Sequence, residues 1–524
     1  MKNKDKSETI IKDGELKDGA EIQLIENPSE ELQLASVKQN GYNIQYIKNP
    51  SEEVQLAAVS ENGLSICHIK KPSEAVKLSA VNNNGLAIEF IKNVSTTAKL
   101  TAVNNNGYTI KYIELPSQKI KLAALAQNGR AIKYIKNPSE KLQLAAVKQT
   151  GFSISEIKNP SENVKLTAVN QNGLAIQYID NPSDEIQLAA VNQIPDAIKY
   201  IKNPSEELQL TVIAKHGWVI KYIDNPSETV QLAAVTNYGY AIIHINKPSE
   251  ETKLAAVTQN GLAIKFIESP TENVQLAAVH RKVESLQYID NPSENVQLAA
   301  VNKNGYAIEC IDNPSEEIQL AAVNNNGLSI KWINNPTEEV QLAAVNNNGR
   351  ALGRINNPSE KVKLAAINKN GYAIQDIENP SEELQLLAVN NNGHAILFIK
   401  NPSEEVKLAA VKQEGNAIRH IDKPSIEIQL AAVNNNGIAI GYIENASEEV
   451  QLAAIKEDIY NIEYIINPTE YIQLEAVKQD GDVIQHIENP SENVQLAAVK
   501  QNPELISIVK NPDLIRFIKN NSEK

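Results

Sequence analysis

Cysteine is almost missing from this chain. Cys67 and Cys310 are the only two, too few for a disulfide framework or a four-cysteine zinc site. Seven histidines are scattered without an H-x-x-x-H pair, so the sequence offers no metal-ligand spacing. It has no P-loop, GxGxxG or GxSxG either. Apolar runs stay well below the roughly 18 residues that span a bilayer, and the opening MKNKDKSET lacks the apolar core of a signal peptide. Arginine occurs only six times against heavy use of Lys, Asn and Ile, the usage of an AT-rich genome. These absences predict a protein with no cofactor, metal or membrane span and no catalytic constellation, located in the cytoplasm of its own cell or of a host.

What remains is a folded chain of 524 residues with 42% hydrophobic and 22% charged side chains, too apolar for disorder. It is also too long for one core, which stops growing near about 250–300 residues. A repeat resolves this. Asn-Pro-Ser at 27–29 recurs with a spacing of 22 residues, giving 22 complete units between 27 and 510 without insertion or deletion. A typical unit reads NPSEEVQLAAVNNNGLAIKYIK. Proline holds position 2 in 21 of 23 starts, leucine holds position 8 in all 22 units, and glycine holds position 15 in 18 of 22. Position 10 is alanine in 20 of 22 and position 18 isoleucine in 20 of 22.

Each conserved slot has a physical use. Asn at position 1 suits an N-cap, Pro the first helical position, and Glu a capping box. The apolar set at positions 6, 8, 9, 10 and 11 makes a wide helical stripe. Asn-Gly at positions 14 and 15 predicts a helix stop with left-handed glycine, and positions 17, 18 and 21 predict a second helix of about two turns. A leucine-rich repeat is excluded, because position 13 is polar throughout. The expected fold is all-α: a right-handed α-solenoid of 22-residue two-helix repeats. Residues 1–26 would be a polar leader and half-repeat cap, 27–510 the array, and 511–524 a capping helix. The array is expected to behave as one continuous, elongated body.

The stretches Val76-Lys77-Leu78 and Ala145-Ala146-Val147-Lys148-Gln149-Thr150-Gly151 carry a resemblance. The units resemble an uncharacterised family of short helical tandem repeats with a VKLAAVKQNG hallmark. More distantly they are similar to leucine-rich-repeat variants and HEAT-like α-solenoids. The resemblance covers nearly the whole chain, implies a superhelical scaffold that binds other macromolecules, and carries no catalytic residue across.

The net charge is −14, from 64 acidic and 50 basic residues. Position 4 is Glu or Asp in 19 of 22 units, and without that row the balance turns positive. Carboxylates there favour the helix dipole, while their stacking also makes a negative stripe that a partner could read. Lys-Tyr pairs at positions 19 and 20, such as Lys111-Tyr112, Lys133-Tyr134, Lys199-Tyr200 and Lys221-Tyr222, would suit a nucleic-acid track. Overall acidity and scarce arginine oppose it. Sideways packing of Tyr between neighbouring short helices is the simpler reading.

In a regular array the exceptions inform. Ile194-Pro195-Asp196, His280 to Glu284 and Asp458 to Asn461 replace the Asn-Gly turn, so the bend is expected to differ there. Within the second set His280, Arg281 and Lys282 form a secondary candidate contact. Positions 16, 19 and 20 of the short helix should face outward. Position 20 then reads Cys310, Trp332, Arg354, Asp376, Phe398 and His420 in six consecutive units, with Arg350 and His394 at position 16 nearby. Aromatic and Arg side chains dominate binding hot spots, so Trp332, Arg350, Arg354, Asp376, His394, Phe398 and His420 are the candidate partner-binding row. The expected function is a non-enzymatic solenoid that wraps or docks a protein, either a scaffold or an inhibitor encircling its target, such as a phage or viral anti-defence factor. A nucleic-acid binder or acidic mimic is the alternative.

Overall fold

A computed structural model describes residues 11–12, 15–16, 19–509, 511–512 and 515–516. Within the expected leader and half-repeat cap at 1–26, residues 1–10, 13–14 and 17–18 lie outside the described residues, as does most of the expected capping helix at 511–524. Ile11–Lys12 and Glu15–Leu16 form a short antiparallel pair. Beyond it every element is helical, and consecutive helices pack in sequence as an α-solenoid of tandem repeats. The chain divides into two units, Met1–Gln259 and Asn260–Lys524, each built from the same motif. The expected half-repeat is present as Gly19–Leu24.

A unit consists of a ten-residue α-helix and a six-residue 3-10 helix, as in Glu338–Asn347 followed by Gly349–Arg354. The second helix has the expected two turns, but with three residues per turn. Its core is contiguous. In this unit Val340, Ala344, Val345, Ala351, Leu352 and Ile355 are all buried.

Three expectations about the local chemistry are corrected. Asn at position 1 is not the cap: Asn335 and Asn357 both have φ of 51°, the left-handed region that Asn tolerates best after Gly. The Asn thereby turns the chain, and the following Ser is the N-cap. Ser359 Oγ accepts from Val362 N at 3.4 Å and donates to Glu338 Oε1 of the preceding repeat at 2.6 Å. Glu at position 4 thus completes no capping box; it ties one helix start to the next. Ser51–Glu30, Ser315–Glu294 and Ser491–Glu470 repeat the bond. Where Ile426 replaces the acid, Ser447 Oγ is left buried without a partner.

Glycine at position 15 is not left-handed. No glycine in the array has a positive φ in that region. The preceding Asn is extended and caps the 3-10 helix: Asn84, at φ −142° and ψ 113°, accepts from Leu86 N at 3.0 Å. Glycine is needed because a β-carbon on Gly85 would fall 2.7 Å from the carbonyl oxygen of Ala102 in the next repeat. Gly85 N donates instead to Asn105 Oδ1 at 3.0 Å, while Asn105 Nδ2 donates to Asn82 O at 3.0 Å. The polar residue at position 13 therefore staples adjacent repeats, and bonds such as Gly107–Gln127 and Gly371–Asn391 propagate the staple.

Position 8 is the third correction. Its leucine is expected in the core but is only half-buried, as at Leu276 and Leu342, and Leu188 and Leu254 reach 40% and 39% exposure.

The irregular turns also differ from expectation. Pro195–Tyr200 is a regular 3-10 helix preceded by Ile194 at φ −141° and ψ 110°, close to Asn172 at φ −153° and ψ 112°. Val283–Tyr288 and Ile459–Tyr464 likewise keep the turn. The departure falls one repeat after Pro195, where Glu206–Ile213 is shortened to eight residues and His216 sits at ψ 70°. Proline has no N–H to donate, and position 13 opposite it is Lys215, which has no acceptor. Lys303 occupies the same position opposite Val283, which keeps its N–H, and its Nζ donates to His280 O.

Candidate functional site

The 3-10 helices lie side by side, so their outward side chains form two rows. Positions 19 and 20 are mostly exposed, whereas position 16 is mostly half-buried. With three residues per turn, position 20 comes about 120° round from position 16 instead of alongside it. Position 16 of one repeat meets position 20 of the next. Tyr108 and Tyr134 meet edge to face at 5.9 Å, Phe152 and Tyr178 at 6.1 Å, and Tyr460 and His486 at 5.4 Å. Lysines at position 19 lie over these rings: Lys133 Nζ is 5.2 Å from the Tyr108 centroid and 5.1 Å from that of Tyr134. Lys111, Lys199 and Lys221 do the same. At these junctions the surface contacts itself.

Between Trp332 and His420 the ladder changes. Trp332 is 40% exposed with Lys331 Nζ 4.3 Å from its ring. In the next repeat Arg350 and Arg354 are both exposed. The diagonal partner of Arg350 is Asp376 instead of an aromatic. Gly353 makes room for it, since a β-carbon there would lie 2.8 Å from the Asp376 carboxylate. Partial burial pushes that carboxyl above its ordinary value, against the opposing pull of Arg354 and Arg350. Leu328, Arg350, Gly353, Arg354, Gln375 and Asp376 line one depression of about 580 Å³.

A second depression, of about 270 Å³, adjoins it through the shared Arg350 and Gln375. Tyr372, His394, Leu397, Phe398, Arg419 and His420 complete its wall. Tyr372 and Phe398 meet edge to face at 5.8 Å, and His394 and His420 at 5.5 Å. Arg419 Nε donates to His420 Nε2 at 3.0 Å. Partial burial, with Arg419 and His394 beside it, holds the His420 imidazole below its ordinary value. Nδ1 of His394 and Oδ1 of Asn416 are buried without a hydrogen-bond partner.

The structure therefore brings Arg350, Arg354, Asp376, His394, Phe398 and His420 together around two linked hollows, with Trp332 one repeat upstream. Arg419, Tyr372 and Gln375 were missed. Arginine's rarity was the available signal for Arg419: three of the six arginines, Arg350, Arg354 and Arg419, stand here. His280, Arg281 and Lys282 are exposed at a turn of ordinary geometry, Lys282 being extended at φ −150°, and they line neither hollow. Among the described residues no cluster of three or more metal-ligating side chains occurs, and no helix is long and apolar enough to cross a membrane.

The chain matches no protein-family model, no curated protein and no solved structure.

Proposed function

We propose that this chain is a non-enzymatic binding solenoid whose short-helix row from Trp332 to His420 contacts a protein partner. One observation carries the reading. Aromatic and lysine side chains contact one another across junctions such as Tyr108–Tyr134 and Phe152–Tyr178, whereas between Trp332 and His420 arginines, an aspartate and histidines join the row and line two hollows. Arg and large aromatics supply most of the energy of protein interfaces when they line pockets. Either use of such a surface, a scaffold in its own cell or an inhibitor clasping a target, needs this contact.

The nucleic-acid reading is weaker. The Lys and Tyr side chains that suggested it are turned onto one another, as in Lys199 over Tyr200 and Tyr222 at 4.9 and 5.6 Å. The net charge of −14 also repels a phosphate backbone.

The test is quantitative capture from the native host with the parent chain and with a Trp332→Tyr/Arg350→Leu/Arg354→Tyr variant. Each substitution installs a residue found at the same position in other repeats, so helicity by circular dichroism should be unchanged. Loss of the captured protein from the variant supports the reading. Equal capture by both chains places the contact elsewhere.

A further inference from the structure

The linked hollows have a chemistry of their own. Three arginines line the two hollows, Arg354 the larger, Arg419 the smaller and Arg350 both, on a chain that is otherwise poor in arginine and strongly acidic. Among the described residues none of the three is within ion-pair distance of a carboxylate. Asp376 stands close enough to feel Arg350 and Arg354 without neutralising both. Arginine favours planar, bidentate recognition of oxyanions. The walls between the guanidinium groups are aromatic, from Tyr372 and Phe398. A buried polar atom without a partner is destabilising, and Nδ1 of His394, whose residue lines the smaller hollow, is such an atom.

We propose that these hollows receive an acidic segment of a partner protein, its carboxylates on Arg350, Arg354 and Arg419 and an apolar side chain against Tyr372 and Phe398. The inference rests on the protein-binding reading above and names the chemistry of the contact. A protein segment fits better than a nucleic acid for two reasons. The cationic stretch is short: the short helices flanking it carry Glu309 and Cys310 on one side and Gly441 and Tyr442 on the other, so no basic track continues for a phosphate backbone to follow. Asp376 also sits inside the site, and it penalises a dense polyphosphate more than a single carboxylate placed beside it.

The experiment uses the full chain and a fluorescein-labelled peptide rich in glutamate with a central phenylalanine, followed by anisotropy at low salt. The parent should bind, and Arg350→Leu/Arg354→Tyr should bind about tenfold more weakly or worse, as expected for loss of desolvated charge partners. Arg419→Gln, a second variant at an exposed position, should also weaken binding. About 0.5 M salt should reduce the parent's affinity. No binding by the parent at peptide concentrations up to about 1 mM, or equal binding by the variants, overturns the proposal. Tighter binding of a single-stranded oligothymidylate of equal charge, sensitive to the same variants, overturns it in favour of nucleic acid. If the peptide fails while the native partner is still lost from the Trp332→Tyr/Arg350→Leu/Arg354→Tyr chain, the row binds protein and only the acidic chemistry is wrong.

Discussion

Replacing Gly85 by alanine decides what glycine does at position 15. If its role were backbone freedom at an accessible φ, alanine would stabilise the chain by about 0.4–1 kcal/mol through the unfolded state. The contact argument gives the opposite sign. The new β-carbon would stand 2.7 Å from the Ala102 carbonyl oxygen, about 0.7 Å short of the 3.4 Å at which ordinary contact begins. That oxygen belongs to a helix backbone and cannot rotate away, so the two repeats must part. Overpacking of this kind costs about 1–3 kcal/mol. Separation also stretches the 3.0 Å bond from Gly85 N to Asn105 Oδ1, worth about 1 kcal/mol. Net of the entropic gain, the junction should lose about 2 kcal/mol. Because repeats contact only their neighbours, the loss should appear first as faster native-state hydrogen exchange in the two repeats that share the junction. A Gly85→Ala chain with unchanged or slower exchange there would refute the close-approach account.

Leu115 occupies the left-handed turn position at φ 44° with its side chain 99% exposed. Leu115→Asn should stabilise its unit by about 1 kcal/mol, read as a higher melting temperature; no rise sinks the strain argument. Ile426→Glu should give the buried Ser447 hydroxyl an acceptor and add about 1 kcal/mol, measurable as a higher urea midpoint and absent if the two side chains do not meet. The carboxyls of Glu272 and Glu470 are held below their ordinary value first by Ser293 and Ser491, then by Asn295 and Asn493; those of Glu162 and Glu404 first by Lys165 and Lys407. A depressed folded pKa stabilises fully above the ordinary carboxylate range, and the gain is lost as pH falls through the folded value. The array should therefore weaken in acid, and Glu272→Gln/Glu470→Gln should flatten that profile; an unchanged profile refutes the link.

The architecture was legible because its signals are spatially local and repeated. Leu, Ala, Ile and Gly recur on a fixed grid, and helix boundaries fell near the expected places. Two of the misreadings share one cause: the Glu at position 4 and the Gly at position 15 each meet a neighbouring unit, which a within-unit pattern does not display. Asn at position 1 and Ser at position 3 are both good caps on paper, and the Ser or Thr present in every unit at position 3 is chosen because it also reaches the previous Glu. Glycine's usual explanation at a helix end hid the carbonyl pressed against it from the next repeat. The candidate row was visible as loss of the Tyr pattern, but Arg419 was not, since position 19 varies throughout and only packing shows that it shares a hollow with Arg350.

The staple from position 13 to the preceding position 15 gives the array a grammar of insertion and loss. A duplication or deletion of any whole number of units, wherever its breakpoints fall, regenerates a junction of the same two residue types. Such an array can lengthen or shorten without inventing a new interface. The coupling of Pro195 with Lys215 is different, because a residue with no N–H to donate faces one with no acceptor to offer. A new unit with an amide side chain at position 13, placed between these partners, would set that acceptor against a proline that has no N–H to give it. That junction should stay fixed while its neighbours multiply, marking the chain with a landmark of register in an otherwise interchangeable series.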